Sequence, residues 1–223
     1  DVDSAELEVV ADGFQIPAAA NFDGQGRLYV VDTGTGELLR VNLGTGEKRR
    51  IAQLKPALDN LAVDKQAGLI YVSNMADNSI QEVDIASGRV RDVVRTRLPA
   101  PSGLARVGDQ LYIADAFAFR VMDTNSGDIR ELERVWASQL KYPLNAWADA
   151  HVVVLSSWAT GAVQVFDRAS GQMTHSFHDF KAPMDAVQLA DGGLLVAELG
   201  EDRLLRVSGE HGEQRQAMGE ALA

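Results

Sequence analysis

The chain has 223 residues, 46% of them hydrophobic, enough to bury a core in one domain or in two small ones. A formal net charge of -11 speaks against nucleic acid, whose affinity needs clustered Lys and Arg, and the lack of cysteine excludes disulfides, thiolate zinc sites, c-type haem attachment and a cysteine nucleophile. No apolar run reaches the length of a membrane span, and DVDSAELEVV at the start lacks the basic and apolar regions of a targeting peptide, which leaves a cleaved one open.

Taken in chain order, residues 6–12 read as an extra outer strand, the fourth strand of a blade whose first three are not in the sequence. The stretch GRLYVVDTGTGELLRVNLGTGE (26–47) follows and is nearly copied as GLIYVSNMADNSIQEVDIASGR (68–89). Weaker copies come after. The polar residue closing the second apolar run of each copy is Asp32, Asn74, Asp115, Ser157 and Glu198, at spacings of 42, 41, 42 and 41 residues. Leu38, Ile80, Val163 and Leu204 each follow their anchor by six positions, whereas in the third copy Phe119 follows by four. Each copy then reaches a turn that ends in glycine, at Gly46, Gly88, Gly127, Gly171 and Gly212, as a short hairpin needing positive φ requires.

The apolar runs between these marks are four to six residues long, rich in Val, Ile, Leu and Tyr, and spaced near two rather than 3.6. They predict strands, with the second strand of each repeat over 28–32, 69–74, 111–115, 152–157 and 194–198. Only 134–142 and 219–223 lean towards helix. A period near 42 residues with four strands predicts an all-β chain, a β-propeller of four-stranded antiparallel blades with five repeats visible, part of a six- or seven-bladed ring or a five-bladed ring of its own. The expected single domain, 1–223, divides into blades near 16–54, 55–98, 99–140, 141–180 and 181–218. Tyr29, Tyr71 and Tyr112 share one position and are expected between adjacent blades.

The repeats resemble the NHL, YVTN and SMP-30/gluconolactonase-like group of propellers: LIYVSNMADNSIQEVDIASGRV looks like a YVTN repeat and PSGLARVGDQLYIADAFAFRV like an NHL or SMP-30 blade. In a propeller the first strand, A, is innermost, so its start, the end of B, and the D-to-A and B-to-C loops share one face. The A-to-B turns, such as DGQGR and ADGG, lie opposite with the tight C-to-D turns. The looped face is the expected binding surface. The A-start positions are Ala18, Asp59 (with Asn60), Ser102, Asn145 and Asp185, and beyond the B-end anchors come Met75, Phe117, Trp158 and Leu199. Candidate ligand-binding residues are therefore Asp59, Asn60, Ser102, Asn145, Asp185, Met75, Phe117 and Trp158. The bland reading of the recurring anchors is structural, because polar residues at strand ends hydrogen-bond nearby backbone.

The resemblance to the SMP-30 group implies a divalent cation in the channel, calcium foremost, held by a Glu, Asn residues and an Asp. Asn145 in PLN and Asp185 in PMD match two of those ligands, while Ala18 in IPAAANFD stands where the Glu belongs. Two strong ligands instead of four favour binding over catalysis. The leading reading is a propeller that binds a protein or small-molecule ligand at its mouth, with further blades from the same or another chain as potential partners; the alternative is a metal-dependent hydrolase, lactonase or lyase. The resemblance implies a periplasmic or secreted protein, with a cytoplasmic location still open.

Overall fold

The computed structural model describes residues 8–95 and 98–218. Its strands form five four-stranded antiparallel sheets, each built from consecutive strands, arranged as a β-propeller. Blade 1 holds β1 (Pro17–Phe22), β2 (Leu28–Asp32), β3 (Glu37–Val41) and β4 (Lys48–Gln53). Blade 2 holds β5 (Leu58–Asp64), β6 (Leu69–Asn74), β7 (Ser79–Asp84) and β8 (Val90–Arg95). Blade 3 holds β9 (Leu104–Val107), β10 (Gln110–Asp115), β11 (Ala118–Asp123) and β12 (Ile129–Arg134). Blade 4 holds β13 (Asn145–Ala148), β14 (Val152–Ser157), β15 (Ala162–Asp167) and β16 (Met173–Phe177). Blade 5 holds β17 (Pro183–Gln188), β18 (Leu194–Glu198), β19 (Arg203–Ser208) and β20 (Gln214–Met218). The second strands fall where the periodicity puts them, except that β10 begins one residue earlier.

Local chemistry closes each hairpin. The five repeat glycines all have positive φ, between 67° and 77°. At the tight turns of blades 1 to 4, Asn42, Asp84, Asp123 and Asp167 accept backbone N–H bonds from two or three residues ahead, which draws the chain round before the glycine. Among the described residues the only helical turn is a 3-10 turn at Leu199–Glu201; of the helix-leaning stretch 134–142, Arg134 ends β12 and 135–142 is irregular. The stretch 219–223 lies outside the described residues, as do residues 6 and 7 of the expected outer strand. The rest of that strand, 8–12, is not strand. Side-chain contacts hold it in place of a ladder: Lys48 Nζ donates to the Asp12 and Gly13 carbonyls at 2.6 and 2.8 Å and lies over the Phe14 ring.

The core consists of four apolar clusters, one between each pair of consecutive blades. Tyr29 packs towards blade 2, Tyr71 towards blade 3 and Tyr112 towards blade 4, all almost fully buried. Val154 continues this column into the blade 5 interface, and Leu195 ends it half-buried on the far side of blade 5. A β residue at one fixed position before the end of strand B is thus the wedge that spaces the blades. At the inner edge Gly103 lets blades 3 and 4 meet, since a Cβ there would lie 2.3 Å from the Asn145 Cα.

Candidate functional site

The A strands β1, β5, β9, β13 and β17 surround a central cavity of about 470 Å³ at the face carrying the D-to-A loops. Ala18, Asp59, Asn60, Ser102, Asn145 and Asp185 all line it, so the A-start column converges as expected, with Trp158 at its rim. A second cavity of about 300 Å³, at the opposite end of the A strands, shares Asn21, Phe22, Leu104, Ala146 and Trp147 with the first. There Arg106 pairs with Asp64 at 2.6 Å, both side chains nine-tenths buried.

Irregular pairing at the start of strand A aims the mouth residues. The register slips between Pro17 and Ala19, between Leu58 and Leu61, and between Pro183 and Asp185. Such bulges let two neighbouring side chains approach the same space, and they are frequent beside binding sites. In this way Asp59 with Asn60, and Met184 with Asp185, all reach the cavity.

A hydrogen-bond ladder ties four blades together across the mouth. Asn60 Nδ2 donates to Asn145 Oδ1 at 2.8 Å, joining blades 2 and 4, and Asn145 Nδ2 donates to the Met184 carbonyl at 3.1 Å, joining blade 5. Asn145 Oδ1 also accepts from the Ala146 N–H at 2.7 Å. Below it, the Ser102 hydroxyl touches both Asp59 Oδ2 and the Leu144 carbonyl, the latter at 2.6 Å. Ser73 Oγ donates to the Ser102 carbonyl at 2.6 Å and receives the Asn60 N–H at 2.9 Å. Blade 1 contributes alanines to the mouth and takes no part in the ladder.

Two carboxyl groups line the cavity, and no Lys, Arg or His does. Burial raises the Asp59 pKa against the lowering effect of its Ser102 contact. Asp185 has open surface towards the cavity, yet protein surrounds it on its other sides; this confinement pushes its pKa up to about 6, opposed only by the Ala186 N–H. The surface exposure governs access to a ligand, whereas the enclosure governs the cost of charge.

The anchor column at the end of strand B performs a different task. Asp32, inaccessible beneath the incoming linker, accepts the N–H groups of Gln15, Ile16 and Gly34 at 2.8, 2.9 and 3.1 Å. Asn74 donates to the Pro56 carbonyl at 2.7 Å, and Glu198 accepts the Lys181 N–H at 2.7 Å while pairing with Arg203. Each of these three latches the linker before strand A onto the end of strand B. Asp115 instead caps its own loop and pairs with Arg120, and Ser157 Oγ is buried with no partner.

Of the loop residues expected at the mouth, Trp158 lines the cavity, while Met75 and Phe117 do not. Phe117 stacks on Trp136 with ring centroids 5.5 Å apart, away from the channel. Phe22, Trp147 and Met184 are lining residues that the reading of the sequence did not include. A signal for two of them was present, because Phe22 lies four residues beyond Ala18 and Trp147 two beyond Asn145, on the same face of a strand.

No family model matches the chain, and no curated protein does. Solved structures do. A chain of the nidogen/laminin complex superposes with a TM-score of 0.82 at 14% identity, over 92% of this chain and 80% of that one. A streptogramin B lyase superposes with a TM-score of 0.70 at 14% identity, over 96% and 70% of the two chains. A catalytically inactive virginiamycin B lyase from Staphylococcus aureus with quinupristin gives 0.69 at 16%, over 93% and 71%. At these identities the likeness is one of fold.

Proposed function

We propose that this propeller binds a ligand through the mouth that carries the D-to-A and B-to-C loops. The observation that supports this most directly is the single cavity to which all five blades contribute a strand-A start, four of them polar. A concave site with an aromatic rim and a few convergent polar groups is the usual form of a ligand site. The likeness to a chain of a nidogen/laminin complex supports a protein partner for that face, and the likeness to streptogramin B lyases supports an enzymatic alternative.

The metal-dependent alternative rests on Asn145 and Asp185. Their donor chemistry does not fit a divalent cation. An amide oxygen has two lone pairs, and both of those on Asn145 Oδ1 are already engaged, by Asn60 and Ala146. Calcium takes six to eight oxygens, and among the described residues no group of three His, Cys, Asp or Glu is placed to hold a metal.

The three tryptophans provide the test. Trp147 and Trp158 line the cavity and Trp136 lies off it. In a fragment screen followed by NMR, binding at the mouth should move the indole signals of Trp147 and Trp158 and leave that of Trp136 in place, and Asn145→Leu should abolish the response. Hits that move Trp136 alone would overturn the assignment of the mouth. A periplasmic or secreted location is proposed on the resemblance of the repeats, and cell fractionation checks it.

A further inference from the structure

The chemistry of the cavity narrows the ligand class, on the premise that the mouth is the binding site. Ser102 Oγ has a single hydrogen and lies within hydrogen-bonding distance of two oxygens that ordinarily only accept, Leu144 O and Asp59 Oδ2. The serine engages Asp59 Oδ2 as a donor shared with Leu144 O, and burial raises the Asp59 pKa against the lowering effect of that contact.

Asp185 is the carboxyl group of the cavity that no other side chain engages. Asp185 accepts the Ala186 N–H on Oδ1 at 2.8 Å, its other oxygen takes no hydrogen bond from the protein, and no basic side chain lines the space around it. The same cavity is bordered by the half-exposed Trp158 and Met184, at 52% and 42% accessibility. An indole face and a thioether suit a cation's apolar flank, and a carboxyl group with no side-chain partner suits its charge. With Asn145 Oδ1 fully engaged, the oxygens a hard divalent ion needs are not free.

We propose that the mouth takes a monocationic organic group, a primary ammonium or a guanidinium, seated on the Asp185 carboxylate with its apolar part against Trp158 and Met184. Binding requires Asp185 ionised, and Asp59 is the one other titratable group lining the cavity. Affinity should therefore fall as the pH drops below about 6, by about tenfold between pH 7.5 and pH 5, in proportion to the ionised fraction.

The probe is 2-phenylethylammonium, with neutral 2-phenylethanol as its control, titrated into the whole chain and read on the Trp147 and Trp158 indole signals. The ammonium should give saturable shifts in the millimolar range or below that weaken at pH 5, the alcohol should give none, and Asp185→Asn should remove the response while the Trp136 signal reports an intact fold. Equal binding of alcohol and ammonium, or an unaltered response in Asp185→Asn, would overturn the cationic class yet leave the mouth as a binding site. No response to the ammonium at all would overturn it too, and the fragment screen would still decide the mouth separately. Calcium that displaces the ammonium at matched ionic strength, with the displacement lost in Asp185→Asn, would replace the organic cation by a divalent one.

Discussion

Tyr71→Ala tests the wedge that spaces the blades. Tyr71 is 2% exposed, between Ala62 and Ile80 of its own blade and Leu104, Leu111 and Ile113 of the next. Burying an aromatic ring removes about 150–250 Å² from water, about 4–6 kcal/mol at 25 cal/mol per Å². The alanine that remains recovers part of that and the void adds to the loss, so about 3–5 kcal/mol is expected. Domains of this size are stable by about 5–15 kcal/mol, so the variant should be marginal at best. Tyr71→Phe keeps the ring and loses only the hydroxyl, which faces the charges of Glu82, Arg106 and Asp64, and should cost about 1 kcal/mol. Urea unfolding followed by tryptophan fluorescence measures both. If alanine cost less than about 1 kcal/mol, or no more than phenylalanine, the tyrosine column would not be holding the blades apart.

Three further outcomes follow from single contacts. Gly103→Ala should disrupt the junction of blades 3 and 4, seen as a large loss of melting temperature or of soluble protein, because its Cβ would overlap the Asn145 backbone; an unchanged melt would contradict that close approach. Asp32→Asn should cost about 2–3 kcal/mol at pH 7 by spoiling the latch on Gln15 and Ile16. Burial would raise the Asp32 pKa, but the N–H donors outweigh it and lower the pKa, so the stability is present above the unfolded value near 3.9 and fades as pH falls through the folded one; the gap to Asp32→Asn should close in acid. Asp185 has the opposite sign: its folded pKa lies above the unfolded one, so ionising it weakens the fold as pH rises from about 4 to about 6, and Asp185→Asn should melt higher than the parent at pH 7.5 and alike at pH 4.

The fold was legible because each propeller blade repeats one local solution. A glycine of positive φ, an Asn or Asp that folds the turn, a tyrosine or aliphatic wedge and a polar anchor recur at fixed offsets, and these offsets are local enough to appear in the sequence. The A-start column was legible for the same reason, as period and topology together place Asp59, Asn145 and Asp185 on one rim. Met184 and the Asn60–Asn145 bridge were not, because they depend on register slips and on contacts between residues up to 85 apart. Phe117 was drawn to the mouth by its place in a B-to-C loop, but the third repeat's turn is two residues shorter. Its ring reaches Trp136 at the outer side of the same blade instead.

Repetition and difference also separate structure from recognition within the site. The anchors recur because every linker must be fastened, and three of them bond the chain that precedes strand A, Asp32 and Glu198 by accepting a backbone N–H and Asn74 by donating to a carbonyl. The A-start residues have no such common task, and they differ from blade to blade: alanine, aspartic acid with asparagine, serine, asparagine, aspartic acid. The resulting mouth is lopsided. Blade 1 presents Ala18, Ala20 and the exposed ring of Phe22, whereas blades 2 to 5 present the ladder and the carboxyl groups. A ligand that makes full use of this wall must itself be two-sided, with its charged head towards Asp185 and an apolar body that lies against Trp158 and Met184 and extends towards the alanines of blade 1, and a small hydrated ion has no body to offer that second side.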